Sequence, residues 1–162
     1  MISSRDGGQP VSHPNGRSRL PAVGGNGNGR RPAAAFAYRC RPETARYVRR
    51  WISELTSSLR VPQDQCDDIR VAVGEALSNA FRHGCRGGDH TVGVYCQVEN
   101  SVLVVEITDP GTGFNPDEVP APEAGLLREG GLGIHLMRLI MDEVSYTFDA
   151  RGTTVRLVKR LQ

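Results

Sequence analysis

Three short stretches of this chain carry side chains or backbone that could do chemistry. In Glu75-Ala76-Leu77-Ser78-Asn79-Ala80-Phe81-Arg82-His83-Gly84, the residues Glu75, Asn79 and His83 stand at i, i+4 and i+8. On a helix they share one face, beside an apolar one formed by Val73, Leu77 and Ala80. Such a stripe offers a carboxylate, an amide oxygen and an imidazole to a cleft; taken alone it also reads as a solvated face. In Asp109-Pro110-Gly111-Thr112-Gly113-Phe114, a carboxylate comes where a Val-rich strand ends, and glycines let a ligand approach the backbone. That carboxylate can accept a hydrogen bond from an exocyclic amine such as adenine's, although Asp-Pro-Gly is equally a turn signal. Gly130-Gly131-Leu132-Gly133 leads into a helical pattern. Bare amides at a helix start make a phosphate site, or simply a flexible way into the helix. Singly each signal is weak; their order and combination carry the weight.

The elements that must position these groups are legible from periodicity. Ala33–Tyr38 is apolar enough for a short strand. A helix is expected from Pro42, because Ala45, Val48, Ile52, Leu55 and Leu59 recur at spacings of three and four. A second helix is expected from Pro62, with Asp64, Asp67 and Asp68 near its positive end, running to Gly84. Thr91–Val98 and Val102–Thr108 read as a hairpin. Residues 115–129 form a polar, Pro-rich loop, and a third helix runs from Ile134 to Glu143. Val144–Phe148 and Thr153–Leu161 close the chain as a second hairpin. The sum is an α+β fold, a two-layer α/β sandwich with three helices on one face of a mainly antiparallel mixed sheet.

Charge and composition narrow the function. The 162 residues have a net charge of +2. Residues 1–34, a Gly/Pro/Arg-rich arm, hold a net +4, which leaves −2 on the domain spanning residues 35–162. A basic nucleic-acid-binding body is thereby excluded. The arm is too poor in apolar residues to offset the entropy of ordering and is expected to be disordered. Its Gly24-Gly25-Asn26-Gly27-Asn28-Gly29 run follows no strand and precedes no helix, so it reads as linker. Neither a signal segment nor an apolar run of membrane-spanning length is present, and a cytoplasmic protein is expected. Cys40, Cys66, Cys85 and Cys96 form no CxxC pair and read as reduced, buried thiols; only spatial clustering would revive a redox or metal role. Lys159 is the sole lysine. That excludes a P-loop and the strand lysine of eukaryotic-type protein kinases, both of which grip phosphate through Lys. A serine hydrolase is unsupported, for there is no GxSxG.

In order and spacing the three islands resemble the N, G1 and G2 boxes of GHKL-type (Bergerat-fold) ATPases, the superfamily of gyrase, histidine kinases and MutL. The resemblance covers nearly all of residues 36–162. More narrowly, Leu127-Arg128-Glu129-Gly130-Gly131-Leu132-Gly133-Ile134, Met141-Asp142-Glu143-Val144 and Gly152-Thr153-Thr154-Val155 are similar to stand-alone bacterial anti-sigma-factor serine/threonine-protein kinases of the RsbW/SpoIIAB type. The resemblance implies a histidine-kinase-like ATPase fold with an ATP lid at Asn115–Glu129. It also implies a residue-by-residue set of roles. Glu75 would be the general base, and Asn79 would give its oxygen to Mg2+. Asp109 would take the adenine amine in a pocket shaped by Gly111 and Gly113. Gly131 and Gly133 would present amides to phosphate, and Thr154 would support the adenine end. His83 would contact phosphate or make a structural hydrogen bond; Arg128 would face the γ-phosphate or solvent; Phe114 and Leu132 would pack the pocket.

The implied function is an ATP- and Mg2+-dependent protein-serine/threonine kinase that binds a sigma factor and phosphorylates a STAS-like anti-anti-sigma protein. Direct nucleic-acid or membrane contact is not implied, and homodimerisation is left open. The alternative is a non-catalytic module that binds ATP to order its lid, a role that needs no Glu75. A histidine-kinase output domain is disfavoured, because Gly/Pro-rich residues 1–32 offer no helix with a phosphoacceptor His.

Overall fold

The computed structural model describes residues 17–19, 34–85, 90–113, 132–150 and 152–162. Six strands form one sheet: β1 (Arg17–Arg19), β2 (Ala34–Arg39), β3 (Thr91–Glu99), β4 (Val102–Asp109), β5 (Glu143–Asp149) and β6 (Gly152–Arg160). Their order across the sheet is β1-β2-β3-β4-β6-β5. Three helices, α1 (Pro42–Ser58), α2 (Gln63–Asn79) and α3 (Leu132–Ile140), supply the second layer.

Local chemistry explains the boundaries. Pro42 occupies the first turn of α1, where its missing N–H is harmless, and Thr44 Oγ1 donates to the Arg39 carbonyl at 2.8 Å to fix the strand-to-helix corner. Arg60, at φ 56°, turns the chain out of α1. Asn100 and Ser101 both have positive φ (50° and 59°), the geometry that matches a tight hairpin to strand twist. Alternation along β3 and β4 sends Val92, Val94, Cys96, Leu103, Val105 and Ile107 inward. Against them pack Val48 and Ile52 of α1, Ile69, Val73 and Leu77 of α2, and Met137 of α3. α2 contacts both α1 and α3, so its buried face anchors the residues that it presents at its far end.

The expected architecture holds, with differences that have physical causes. Every described strand pairing is antiparallel, so the expected mixed sheet contains no parallel pair among the described residues. The α-helix expected to reach Gly84 ends at Asn79 and passes into a π turn, Ala80–Gly84. α3 stops at Ile140 rather than Glu143 because the Asp142 amide donates to the Val158 carbonyl (2.9 Å), which starts the next strand. Within the expected disordered arm, Arg17–Arg19 pairs with β2 and extends the sheet edge. The cysteines are also corrected: Cys40 and Cys85 are joined by a disulfide, whereas Cys66 and Cys96 are free and buried. Cys40 follows β2 and Cys85 follows the π turn, 45 residues later; the fold rather than the spacing unites them. Lys159 is structural, donating from Nζ to Asp68 Oδ2 at 2.9 Å and to the Ile140 carbonyl at the end of α3. No described helix is long and apolar enough to cross a membrane.

Candidate nucleotide site

α2 brings the three islands together, one at each of two contacts. At the first, Glu75 meets the start of α3. A Cβ placed on Gly133 would lie 2.5 Å from Glu75 Oε2 and 3.5 Å from Glu75 Cβ, so the carboxylate rests on bare backbone. Gly133 is the second residue of α3, where amide groups have no intrahelical acceptor and the helix dipole is positive. Glu75 also borders an open groove between α1 and α2 that is lined by Arg46, Arg49, Arg70 and Arg82. The carboxylate therefore stands between an anion-favouring helix start and a basic surface groove. Asn79, one turn further, is half-buried.

The second contact is centred on Asp109, the last residue of β4 and only 9% exposed. The Gly111 amide donates to its Oδ1 at 2.8 Å. Gly84, the final residue of the π turn, is buried directly against this carboxylate; any side chain there would overlap Asp109. A Cβ on Gly111 would lie 2.7 Å from the same Oδ1 and 2.9 Å from the Gly84 Cα, so two glycines form its cradle. Gly152, at φ +123°, passes equally close to the Asp109 carbonyl. Burial pushes the Asp109 carboxyl above the usual range, partly opposed by the Gly111 hydrogen bond and the positive charge of His83. A carboxylate kept dry with one oxygen engaged is primed to accept a hydrogen bond from a ligand amine.

The neighbouring strands complete this end. Thr154 pairs with Thr108 across β4 and β6, and their hydroxyl oxygens share a hydrogen bond at 2.8 Å. Gly113, at φ +83°, packs on the Phe148 ring, whose Cδ1 would be 2.5 Å from an added Cβ.

Glu75 and Gly133 thus meet, as do Asp109, Gly111 and the π turn ending His83-Gly84; Thr154 lies one register position from Asp109. His83 is exposed, and its influence on Asp109 is electrostatic. The wider π turn breaks the 3.6-residue period on which a shared Glu75–Asn79–His83 face depended. Leu132 is 55% exposed, and Phe148 packs on the glycine turn. Arg128, Gly131, Phe114 and the expected lid lie outside the described residues. Local spacing assigns no packing role to Gly84, Gly152 or Phe148. Spacing reads Gly84 as a helix stop, and the two glycines' roles show only when β4 is laid beside them.

No group of three or more His, Cys, Asp or Glu side chains among the described residues could hold a metal by itself. The available donors, the Asn79 amide oxygen beside a carboxylate, suit a hard cation that takes most of its ligands from phosphate and water. The whole arrangement can bind an aromatic amine at one end, receive phosphate at the other, and accept a proton beside it.

Comparison with known proteins bears on the family and the fold. A family model described as a histidine kinase-like ATPase domain matches residues 38–159. The serine-protein kinase RsbW of Bacillus velezensis is 33% identical over 129 residues, covering 74% of this chain and 80% of that protein. RsbW of Bacillus licheniformis is 31% identical over 131 residues, covering 75% and 81% respectively. In structure, the RsbU and RsbW domains of a Mycobacterium tuberculosis protein superpose with a TM-score of 0.61 at 19% identity; 81% of this chain and 33% of that one are covered, which supports the fold. The chain belongs to the histidine-kinase-like ATPase domain family, as a kinase of the RsbW type.

Proposed function

We propose that this chain is a cytoplasmic ATP- and Mg2+-dependent protein-serine/threonine kinase and anti-sigma factor, formed by residues 35–162. It would bind a sigma factor and phosphorylate a Ser or Thr of a STAS-like anti-anti-sigma protein. Asp109 accepts the adenine amine, with Gly111 and Gly113 shaping the pocket and Thr154 supporting that end. The amides of Gly131 and Gly133 receive phosphate, with Arg128 the cation available to it, while His83 stands at the Asp109 end. Mg2+, held by the Asn79 oxygen and the phosphates, would supply charge neutralisation between them. The hydroxyl oxygen of the substrate protein attacks the γ-phosphorus, its proton passes to the Glu75 carboxylate, and ADP leaves.

The observation that carries this reading is the Glu75 carboxylate resting on Gly133 at the start of α3. That contact supports Glu75 as a general base beside a terminal phosphate, and the adjoining arginine-lined groove would give a protein substrate an approach to it. The test is phosphotransfer from labelled Mg-ATP to STAS proteins of the same genome. Glu75→Ala is expected to lose transfer by ~100-fold or more while still binding ATP. Transfer by neither protein would refute the kinase reading, and equal transfer by both would refute Glu75 as its base.

A further inference from the structure

The four cysteines separate by accessibility. Cys66 and Cys96 are buried, and burial pushes the Cys96 thiol up to about 12, so it stays protonated and inert. Cys40 and Cys85 are only partly buried and are joined, with Cα atoms 5.8 Å apart. Cys40 lies at the corner between β2 and α1, and its amide donates to the His90 carbonyl next to β3 (2.9 Å). That half of the bridge is therefore fixed to the sheet. Cys85 closes the π turn, its amide donating to the Ala80 carbonyl at 3.1 Å. π turns are rare and concentrate at functional sites. This one ends in Gly84, which seats the Asp109 carboxylate together with Gly111. The disulfide thus anchors, one residue away, the backbone that forms the wall of the base-binding pocket.

We propose that Cys40–Cys85 is a redox clamp on nucleotide binding: bridged, it holds Gly84 against Asp109, and cleaved, it frees the π turn and weakens ATP affinity. The inference rests on the nucleotide-site reading above. The reductant is a dithiol. One of its thiolates attacks a sulfur of the bridge, the Cys40–Cys85 S–S bond breaks, and the departing thiolate takes up a proton. The second thiolate of the reductant then displaces the remaining cysteine, which is also protonated. Two electrons pass to the protein, leaving two thiols on the chain and a disulfide on the reductant. Accessible bridges in reducing compartments are commonly of this switching kind, whereas buried cysteines such as Cys66 and Cys96 remain silent.

The test is calorimetric titration of Mg-ATP into the full chain, oxidised and dithiothreitol-reduced, below the melting temperature of both forms. Thiol titration after denaturation should count two thiols in the oxidised form, from Cys66 and Cys96, and four in the reduced form. Reduction is expected to raise the ATP Kd by about fivefold or more, a typical coupling between two sites. Cys40→Ser/Cys85→Ser should match the reduced protein and no longer respond to dithiothreitol. The reduced wild-type chain supplies the same comparison if that variant does not fold. Equal Kd in the two states, with or without a lower Tm, overturns the clamp and leaves the nucleotide site standing. So does a response that persists in the double variant, or four thiols in the oxidised form. Absence of ATP binding in both states overturns the nucleotide-site reading and the clamp together.

Discussion

Gly84→Ala tests the base-binding end of the site with one methyl group. The added Cβ would lie 2.5 Å from Asp109 Cβ and nearer still to its Cγ and Oδ1. Carbon atoms do not approach so closely, and Gly84 is buried at the end of a turn anchored by Cys85, so the carboxylate must move. Overpacking of this kind costs roughly 1–3 kcal/mol. Displacing Oδ1 from the Gly111 amide forfeits a charge-assisted hydrogen bond of similar size, about 1.5–3 kcal/mol. Part of the loss appears as stability, a Tm lower by roughly 2–10 °C for a domain of this size. The rest appears in binding, because the displaced carboxylate no longer meets the adenine amine; an ATP Kd raised ~10- to 100-fold corresponds to about 1.4–2.8 kcal/mol. Gly74→Ala is the matched control. Its Cβ would meet only the Arg49 side chain, at Cδ (3.6 Å) and Nη1 (3.7 Å), and alanine in a helix interior gains up to about 1 kcal/mol over glycine. Thermal melting and calorimetric ATP titration of the two variants separate the effects. A Gly84→Ala protein with unchanged Tm and ATP affinity would refute the assignment of Gly84 to the Asp109 cradle.

Other substitutions and conditions address the remaining parts. Gly133→Ala brings a methyl to 2.5 Å from the mobile end of Glu75, so the carboxylate turns aside at little cost in stability. The phosphotransfer kcat is expected to fall by about a hundredfold with Tm nearly unchanged; an unaltered kcat would count against Glu75 as base. The raised Asp109 carboxyl, caused first by burial, also sets a pH dependence. Folded protein holds that proton above the usual carboxylate range, so its contribution to stability is full at lower pH and is lost as pH rises through the raised value. Asp109→Asn should flatten that part of the stability curve measured by denaturant titration. In the wild type, ATP affinity should weaken on acidification at a pH above the usual carboxylate range, as the amine-accepting carboxylate is protonated. An ATP Kd constant through that interval would refute the ionised-acceptor role.

The site was legible in proportion to how locally each part is encoded. Helices α1 and α2 follow from apolar spacing because each buries its own stripe, and the β3–β4 hairpin follows from alternation about two turn residues. Glu75, Asn79 and Asp109 were visible because their side chains carry the chemistry themselves. Gly84 and Gly152 contribute instead by lacking a side chain, and each matters only because β4 passes within contact distance. Within a sequence, the same glycines are adequately explained as a helix stop and a hairpin turn. The π turn escaped for a related reason. Its extra width is set by where Gly84 must sit against Asp109 and where Cys85 meets Cys40, two contacts remote in sequence. Spacing rules can therefore name the acid, the amide and the turn, but the distance between them is fixed by backbone contacts that no local period encodes. Substitutions at these glycines are for that reason a stricter test of the site than removal of its carboxylates. Deleting Glu75 or Asp109 asks whether the group is needed, while a methyl on Gly133 or Gly84 leaves the group present and asks whether its position is.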